Sequence, residues 1–95
     1  RKAFEEILFR KSDHFTAHYY IGMSFFYEGQ YRAAVPHLRV VLNYPTIQVF
    51  EEPQWAAAQS YLELDRITRA KKILTQIVQK KGMHAKQAQE LLKNL

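Results

Sequence analysis

Apolar side chains recur along this chain with the spacing of α-helices. Between Arg69 and Lys80 they fall at i, i+3, i+4, i+7 and i+8, which forms one apolar face. The residues on that face are Ala70, Ile73, Leu74, Ile77 and Val78. The last segment repeats the pattern with Ala85, Ala88, Leu91, Leu92 and Leu95. Strand-like alternation and Asn-Gly or Asp-Gly hairpin turns are absent, so the pattern predicts an all-α fold.

Helix-breaking residues divide the chain into short segments. The breaks fall at Ser12-Asp13, Glu28-Gly29-Gln30, Asn43-Tyr44-Pro45, Pro53, Asp65 and Gly82. We expect about six helices, and short turns between helices of about a dozen residues make neighbouring helices antiparallel.

The helix pairs repeat. A shift of 36 residues places large side chains on large ones and small on small: Tyr19 on Trp55, Gly22 on Ala58, Phe25 on Tyr61, Phe26 on Leu62, Gly29 on Asp65, Ala34 on Ala70, Leu38 on Leu74 and Val41 on Ile77. Two packed helices need this alternation, because a small residue lets the neighbour approach and a large one fills the remaining space.

The first copy resembles a tetratricopeptide repeat (TPR). It reads Tyr19-Tyr20-Ile21-Gly22-x-x-Phe25-x-x-x-Gly29-x-Tyr31-x-x-Ala34-x-x-x-Leu38-x-x-Val41. The second copy, Trp55 to Ile77, is weaker, with Ala58 and Asp65 in place of the two glycines. The resemblance implies antiparallel helix pairs stacked as a short right-handed superhelix, similar to the C-terminal end of bacterial TPR proteins. It implies one domain: residues 1–11 end a preceding repeat, 15–43 and 53–80 are repeats, 44–53 is a longer connection, and 84–95 is a capping helix.

Two features depart from the usual repeat. Pro36 lies within a predicted helix, where an interior proline costs about 3 kcal/mol, and we expect a local kink. The period exceeds about 34 residues because the connection 44–53 is long. That connection carries Ile47, Val49 and Phe50, which we expect to fold back onto the core rather than form an exposed contact patch.

The resemblance also implies a function. The concave groove of a TPR stack is lined by the first helix of each pair and binds peptides. The positions that would face it are Thr16, Tyr19, Met23, Phe26, Tyr27, Glu52, Trp55, Gln59, Leu62 and Glu63. Some of these, Phe26 and Leu62 above all, could serve interhelical packing alone. TPR domains that capture a C-terminal carboxylate use Lys, Asn and Arg, and the corresponding Tyr19, Met23, Gln59 and Glu63 do not form that clamp.

Catalytic and metal-binding patterns find little support. The chain has no cysteine, and Ser24 and Ser60 lie in no Gly-x-Ser-x-Gly turn. His14 and His18 have the i, i+4 spacing of some zinc sites but lack the Glu of a His-Glu-x-x-His motif. His37 and His84 have no evident partner. We therefore predict a non-catalytic protein or peptide-binding module with no cofactor and no metal.

Charge leaves alternatives open. The net charge is +5, with Glu90 the only acid between Arg69 and Leu95. These bases are typical of a solvated helix face, but they also allow a nucleic-acid-binding repeat, which the lack of aromatic residues after Tyr61 disfavours. A third alternative is a purely structural cap of a longer array. The pattern is already helical at Arg1, without an initiator Met, so we expect a piece of a longer protein whose exposed first helix would favour dimers. No membrane span is predicted, and the lack of cysteine favours the cytoplasm slightly without excluding export.

Overall fold

The computed structural model describes residues 1–44 and 51–95, and those residues form six α-helices and no strand. The helices are α1 (Lys2–Arg10), α2 (Phe15–Tyr27), α3 (Tyr31–Leu42), α4 (Glu51–Glu63), α5 (Ile67–Lys80) and α6 (Ala85–Lys93). The predicted all-α fold is confirmed. In these two ranges no helix has the length and apolar character needed to cross a membrane.

Helix pairs α2 with α3 and α4 with α5 form two hairpins, and α3 packs on α4 to join them. Helix α1 packs on α2, and α6 packs on α5, so each end of the stack carries one further helix. A smaller contact between α2 and α4 brings the first helices of the two hairpins side by side. These two helices form what we call the inner face, as expected for a helical repeat.

The two hairpin turns have the same backbone geometry, 36 residues apart. Gly29 and Asp65 both adopt left-handed φ values, of 76° and 60°. In the first turn the Gln30 N–H donates to the carbonyl of residue 25 at 2.9 Å, and in the second the Arg66 N–H donates to that of residue 61 at 2.7 Å. This is the Schellman pattern that ends many helices, and Asp is among the non-glycine residues that tolerate it.

The core uses the paired positions that the repeat predicts. The side chains of Leu38 and Leu74 are fully buried, as are the alanines four residues before each of them. Position 22 has little room for a side chain, because a Cβ on Gly22 would lie 3.0 Å from Cδ2 and 3.1 Å from Cγ of Leu38. The small residue at position 22 therefore allows α2 to pack closely against the large Leu38 side chain of α3.

Helix α3 runs through Pro36 as one element. Pro36 and Arg32 are both exposed, so water can serve the Arg32 carbonyl that proline leaves without a donor. The expected kink stays a prediction, as does the division of the chain into repeats 15–43 and 53–80. The proposed fold-back of Ile47, Val49 and Phe50 lies outside the described residues.

Candidate functional site on the inner face

A cavity of about 910 Å³ opens on the inner face. Helices α2 and α4 contribute most of its lining, and the end of α5 and the turn before α6 close one side. The lining residues are Tyr19, Met23, Phe26, Tyr27, Glu51, Glu52, Trp55, Lys80, Gly82, Met83 and His84. Aromatic rings and methionines predominate, and such side chains give a ligand large contact area at a low entropy cost.

Two tyrosines of α2 share the carboxylate of Glu52. The Tyr27 hydroxyl donates to Glu52 Oε1 at 2.7 Å. This hydrogen bond, with burial and the negative charge of Glu52, raises the pKa of Tyr27 above its ordinary value. Burial raises the pKa of Tyr19 as well, and the charge of Glu52 adds to that effect. The carboxylate of Glu52 therefore makes both phenols harder to ionise than a free tyrosine.

Trp55 and Glu51 connect α4 to the start of α6 through His84. The indole stacks on the His84 ring with centroids 4.6 Å apart and planes at 19°. Glu51 Oε2 accepts the His84 backbone N–H at 2.9 Å and lies 2.9 Å from His84 Nδ1. Since a carboxylate only accepts, Nδ1 must carry a proton. Glu51 thus caps the N-terminus of α6, where a negative charge is favoured.

Gly82 lets this carboxylate approach the turn. A Cβ at Gly82 would overlap Glu51 Oε1 and lie 2.9 Å from its Cδ. Glu51 Oε1 is buried and finds no hydrogen-bond partner among the described residues. Lys80, which also lines the cavity, donates through Nζ to Gln54 Oε1 at 3.1 Å. The lining of the cavity therefore includes two adjacent carboxylates, at residues 51 and 52, and one lysine.

Five of the eight predicted groove residues line this cavity: Tyr19, Met23, Tyr27, Glu52 and Trp55. Phe26 lines it too, whereas Thr16, Gln59 and Glu63 lie on α2 and α4 outside its lining, so their part in partner binding stays a prediction. Sequence reasoning missed Glu51 at the start of α4, Lys80 at the end of α5, and the turn residues Gly82, Met83 and His84. A signal existed in Gly82, which marks that turn and was interpreted only as a helix breaker.

The histidines are arranged differently from the sequence interpretation, which noted the spacing of His14 and His18 and found no evident partner for His37 or for His84, the contact of Glu51. His14 Nδ1 accepts the Ala17 N–H at 3.1 Å and so caps α2. His18 Nδ1 instead lies 3.0 Å from His37 Nδ1. His18 Nε2 lies 2.6 Å from the Ser12 carbonyl oxygen and must donate to it.

Protonation of this pair is limited by its geometry. One Nδ1 must donate and the other accept, so the two rings hold at most one positive charge while the contact persists. Burial lowers the pKa of His37, and the facing His18 lowers it further, whereas the charge of Glu5 acts in the opposite direction. Within the two described ranges, no group of three His, Asp or Glu side chains is placed to hold a metal ion.

The comparisons agree with the fold. A family model described as tetratricopeptide repeat matches residues 16–46 and 54–80, which together are more than half of the chain. The two matched stretches contain most of α2 with α3 and of α4 with α5, the two helix hairpins of the structure. No curated protein and no solved structure matches the chain. By its repeated sequence, its paired helices and this match, the chain belongs to the tetratricopeptide repeat family.

Proposed function

We propose that this chain is a non-catalytic protein–protein interaction module that binds an extended peptide, or an extended segment of a partner domain, in the inner-face cavity. TPR repeats in general are protein–protein interaction modules, which supports the broad class of function. The cavity identifies the part of the surface where the partner would bind.

The observation that carries the proposal is the cavity itself. Its volume of about 910 Å³ lies at the upper end of the range of about 300–1,000 Å³ for ligand pockets. Its lining combines apolar contact area with a few polar groups, which is the usual composition of a binding pocket. Tyr27 is 69% exposed although it is a large aromatic residue, as expected for a side chain that gains contacts when a partner binds.

The chemistry around the cavity supports binding rather than catalysis. Glu52 is engaged by Tyr27, and Glu51 is engaged by His84, so both carboxylates have structural partners. The hydroxyl of Ser60, one of the two serines considered as nucleophiles, donates to the Ala56 carbonyl at 2.8 Å inside α4. That hydroxyl is fully buried and has no access to a substrate.

Peptides selected from a random phage-displayed library test the proposal. Peptides that bind the chain would be measured by isothermal titration calorimetry against Trp55→Ala and Tyr27→Ala. We expect each change to weaken binding about tenfold or more, because buried aromatic contacts dominate such interfaces. Tyr27 is largely exposed, so we expect its removal to leave the fold intact even if Trp55→Ala loosens the start of α6.

Phe9→Ala is the matched control. Phe9 is 93% exposed on α1 and does not line the cavity. Its removal should leave peptide affinity unchanged. Selected peptides that bind both cavity variants as tightly as the unaltered chain would show that they bind elsewhere, and the proposal would then be wrong.

A further inference from the structure

We propose that the inner-face cavity receives an arginine side chain of the partner peptide, with its guanidinium against the rings of Tyr19 and Trp55 and paired with the carboxylate of Glu52. This inference rests on the proposed function and specifies the partner that the site would choose.

Aromatic faces supply the first part of the argument. Tyr19 and Tyr27 on α2 and Trp55 on α4 all line the same cavity. The faces of such rings attract cations, and guanidinium groups stack on them more readily than ammonium groups do. One face of Trp55 is covered by His84, and the residue still lines the cavity. A cation in this cavity therefore has aromatic rings from two helices in its surroundings.

Glu52 supplies the counter-charge. Its carboxylate accepts a hydrogen bond from Tyr27 and also interacts with Tyr19, and a carboxylate has about four acceptor sites, so some remain beyond these two phenols. The remaining sites suit the paired N–H groups of a guanidinium, which bind carboxylates two at a time. A smaller cavity of about 370 Å³ adjoins this position and shares Tyr19, Met23, Tyr27 and Glu52 with the larger one. Glu52 thus borders both, and an extended chain can continue past it.

The sign of the local charge argues against an anionic ligand. A ligand carboxylate in this cavity would be repelled by the carboxylates of Glu51 and Glu52, which both line it. Lys80 lines the cavity too and donates to Gln54, which disfavours a cation beside it. The arginine is therefore assigned to the carboxylate of Glu52, beside the tyrosines of α2. The preference is informative because the whole chain carries a net charge of +5 and would by itself attract acidic peptides.

Three blocked peptides that differ only at the centre test the inference. The first is acetyl-Ala-Leu-Ala-Arg-Ala-Leu-Ala-amide, the second has citrulline in place of the arginine, and the third has glutamate. Binding to the full chain is followed by the fluorescence of Trp55, the single tryptophan. We expect the arginine peptide to bind about tenfold more tightly than the citrulline peptide, which has nearly the same shape and no charge. The glutamate peptide should bind most weakly, although the net charge of +5 on the chain would by itself favour it.

Charge-neutral variants locate the effect. Glu52→Gln should reduce the preference for arginine over citrulline to less than about twofold, because the counter-charge is gone. Glu6→Gln makes the same change of charge at an exposed position on α1 and should keep the full preference. Equal binding of the arginine and citrulline peptides, a tightest-binding glutamate peptide, or an arginine preference that survives Glu52→Gln would overturn the inference.

The proposed function can fail separately. If the arginine and citrulline peptides bind equally, and calorimetry shows that Trp55→Ala weakens both, the arginine inference is wrong and the peptide-binding function stands. The same conclusion follows if neither binds at about millimolar concentration while peptides from the library do. If no peptide of either kind binds, both proposals are wrong.

Discussion

Replacement of Leu38 by alanine should test the packing on which the whole stack depends. The Leu38 side chain of α3 is fully buried and packs against Gly22 of α2. Its replacement by alanine removes three carbon atoms from this contact. At about 0.8 kcal/mol for each buried carbon group, the lost transfer free energy is about 2.4 kcal/mol. The cavity left behind adds to that cost, so we expect a loss of about 3–4 kcal/mol in the free energy of unfolding. For a chain of this size, whose total stability is roughly 5–14 kcal/mol, that is a large fraction.

A second substitution, Gly22→Ala, tests whether the effect of Leu38→Ala comes from the contact between these two residues. In the unaltered chain, the methyl of Gly22→Ala would lie 3.0 Å from Leu38 Cδ2, 3.1 Å from Leu38 Cγ and 3.2 Å from His37 Cβ. Crowding should cancel the gain of about 1 kcal/mol that alanine brings to a helix interior. In the Leu38→Ala background two of these three neighbours are gone, and Gly22→Ala should then stabilise the protein by about 1 kcal/mol. The double-mutant cycle should thus show a coupling of about 1 kcal/mol.

Urea unfolding followed by circular dichroism at 222 nm measures both quantities, provided that the m-value stays constant. Leu95→Ala is the control, because Leu95 is 38% exposed at the end of the chain and should cost less than about 1 kcal/mol, with no coupling to Gly22→Ala. A cost below about 1 kcal/mol for Leu38→Ala, or additivity within about 0.5 kcal/mol with Gly22→Ala, would refute the packing described here.

Three further predictions concern pH, the cap of α6 and the hairpin turn. The pKa of His37 is lowered from its ordinary 6.5, so the unfolded chain takes up a proton at higher pH than the folded one. The free energy of unfolding should therefore fall as pH drops below about 6.5, by at most about 1.4 kcal/mol per pH unit from this group. His37→Gln should flatten that part of a pH series of urea titrations, and an unchanged slope would contradict the assignment. Glu51→Ala removes the acceptor of the His84 N–H and should lower the free energy of unfolding by about 1–3 kcal/mol. Amide hydrogen exchange should accelerate more in α6 than in α3, and equal acceleration in both helices would contradict the role of Glu51 as the cap of α6. Gly29→Ala should lower the free energy of unfolding, measured by thermal unfolding, by about 1 kcal/mol, because φ at this position is 76°. Gly29→Asp should cost less, since Asp65 adopts the same conformation in the second hairpin turn. The reverse order would argue against equivalent turns.

The sequence was sufficient for the fold because its signals are local and repeated. Helical spacing of apolar residues depends only on the 3.6-residue turn, and the buried pairs Leu38 and Leu74 follow from the repeat without any knowledge of tertiary contacts. Gly29 and Asp65 differ in identity, yet the 36-residue shift already placed them at equivalent turns. The same register placed Tyr19 and Trp55 together on the inner face.

Contacts between distant segments were decided by the tertiary structure alone. Glu51 and His84 are 33 residues apart, and their contact depends on how α6 docks after α5. His18 and His37 are 19 residues apart and meet only because α2 and α3 pack closely beside Gly22. A side chain's partners across the stack depend on crossing angles and turn geometry, which one-dimensional periodicity does not encode. The sequence therefore determined which helices form and which faces they bury, and the assembled stack decided which charged and aromatic groups share the cavity.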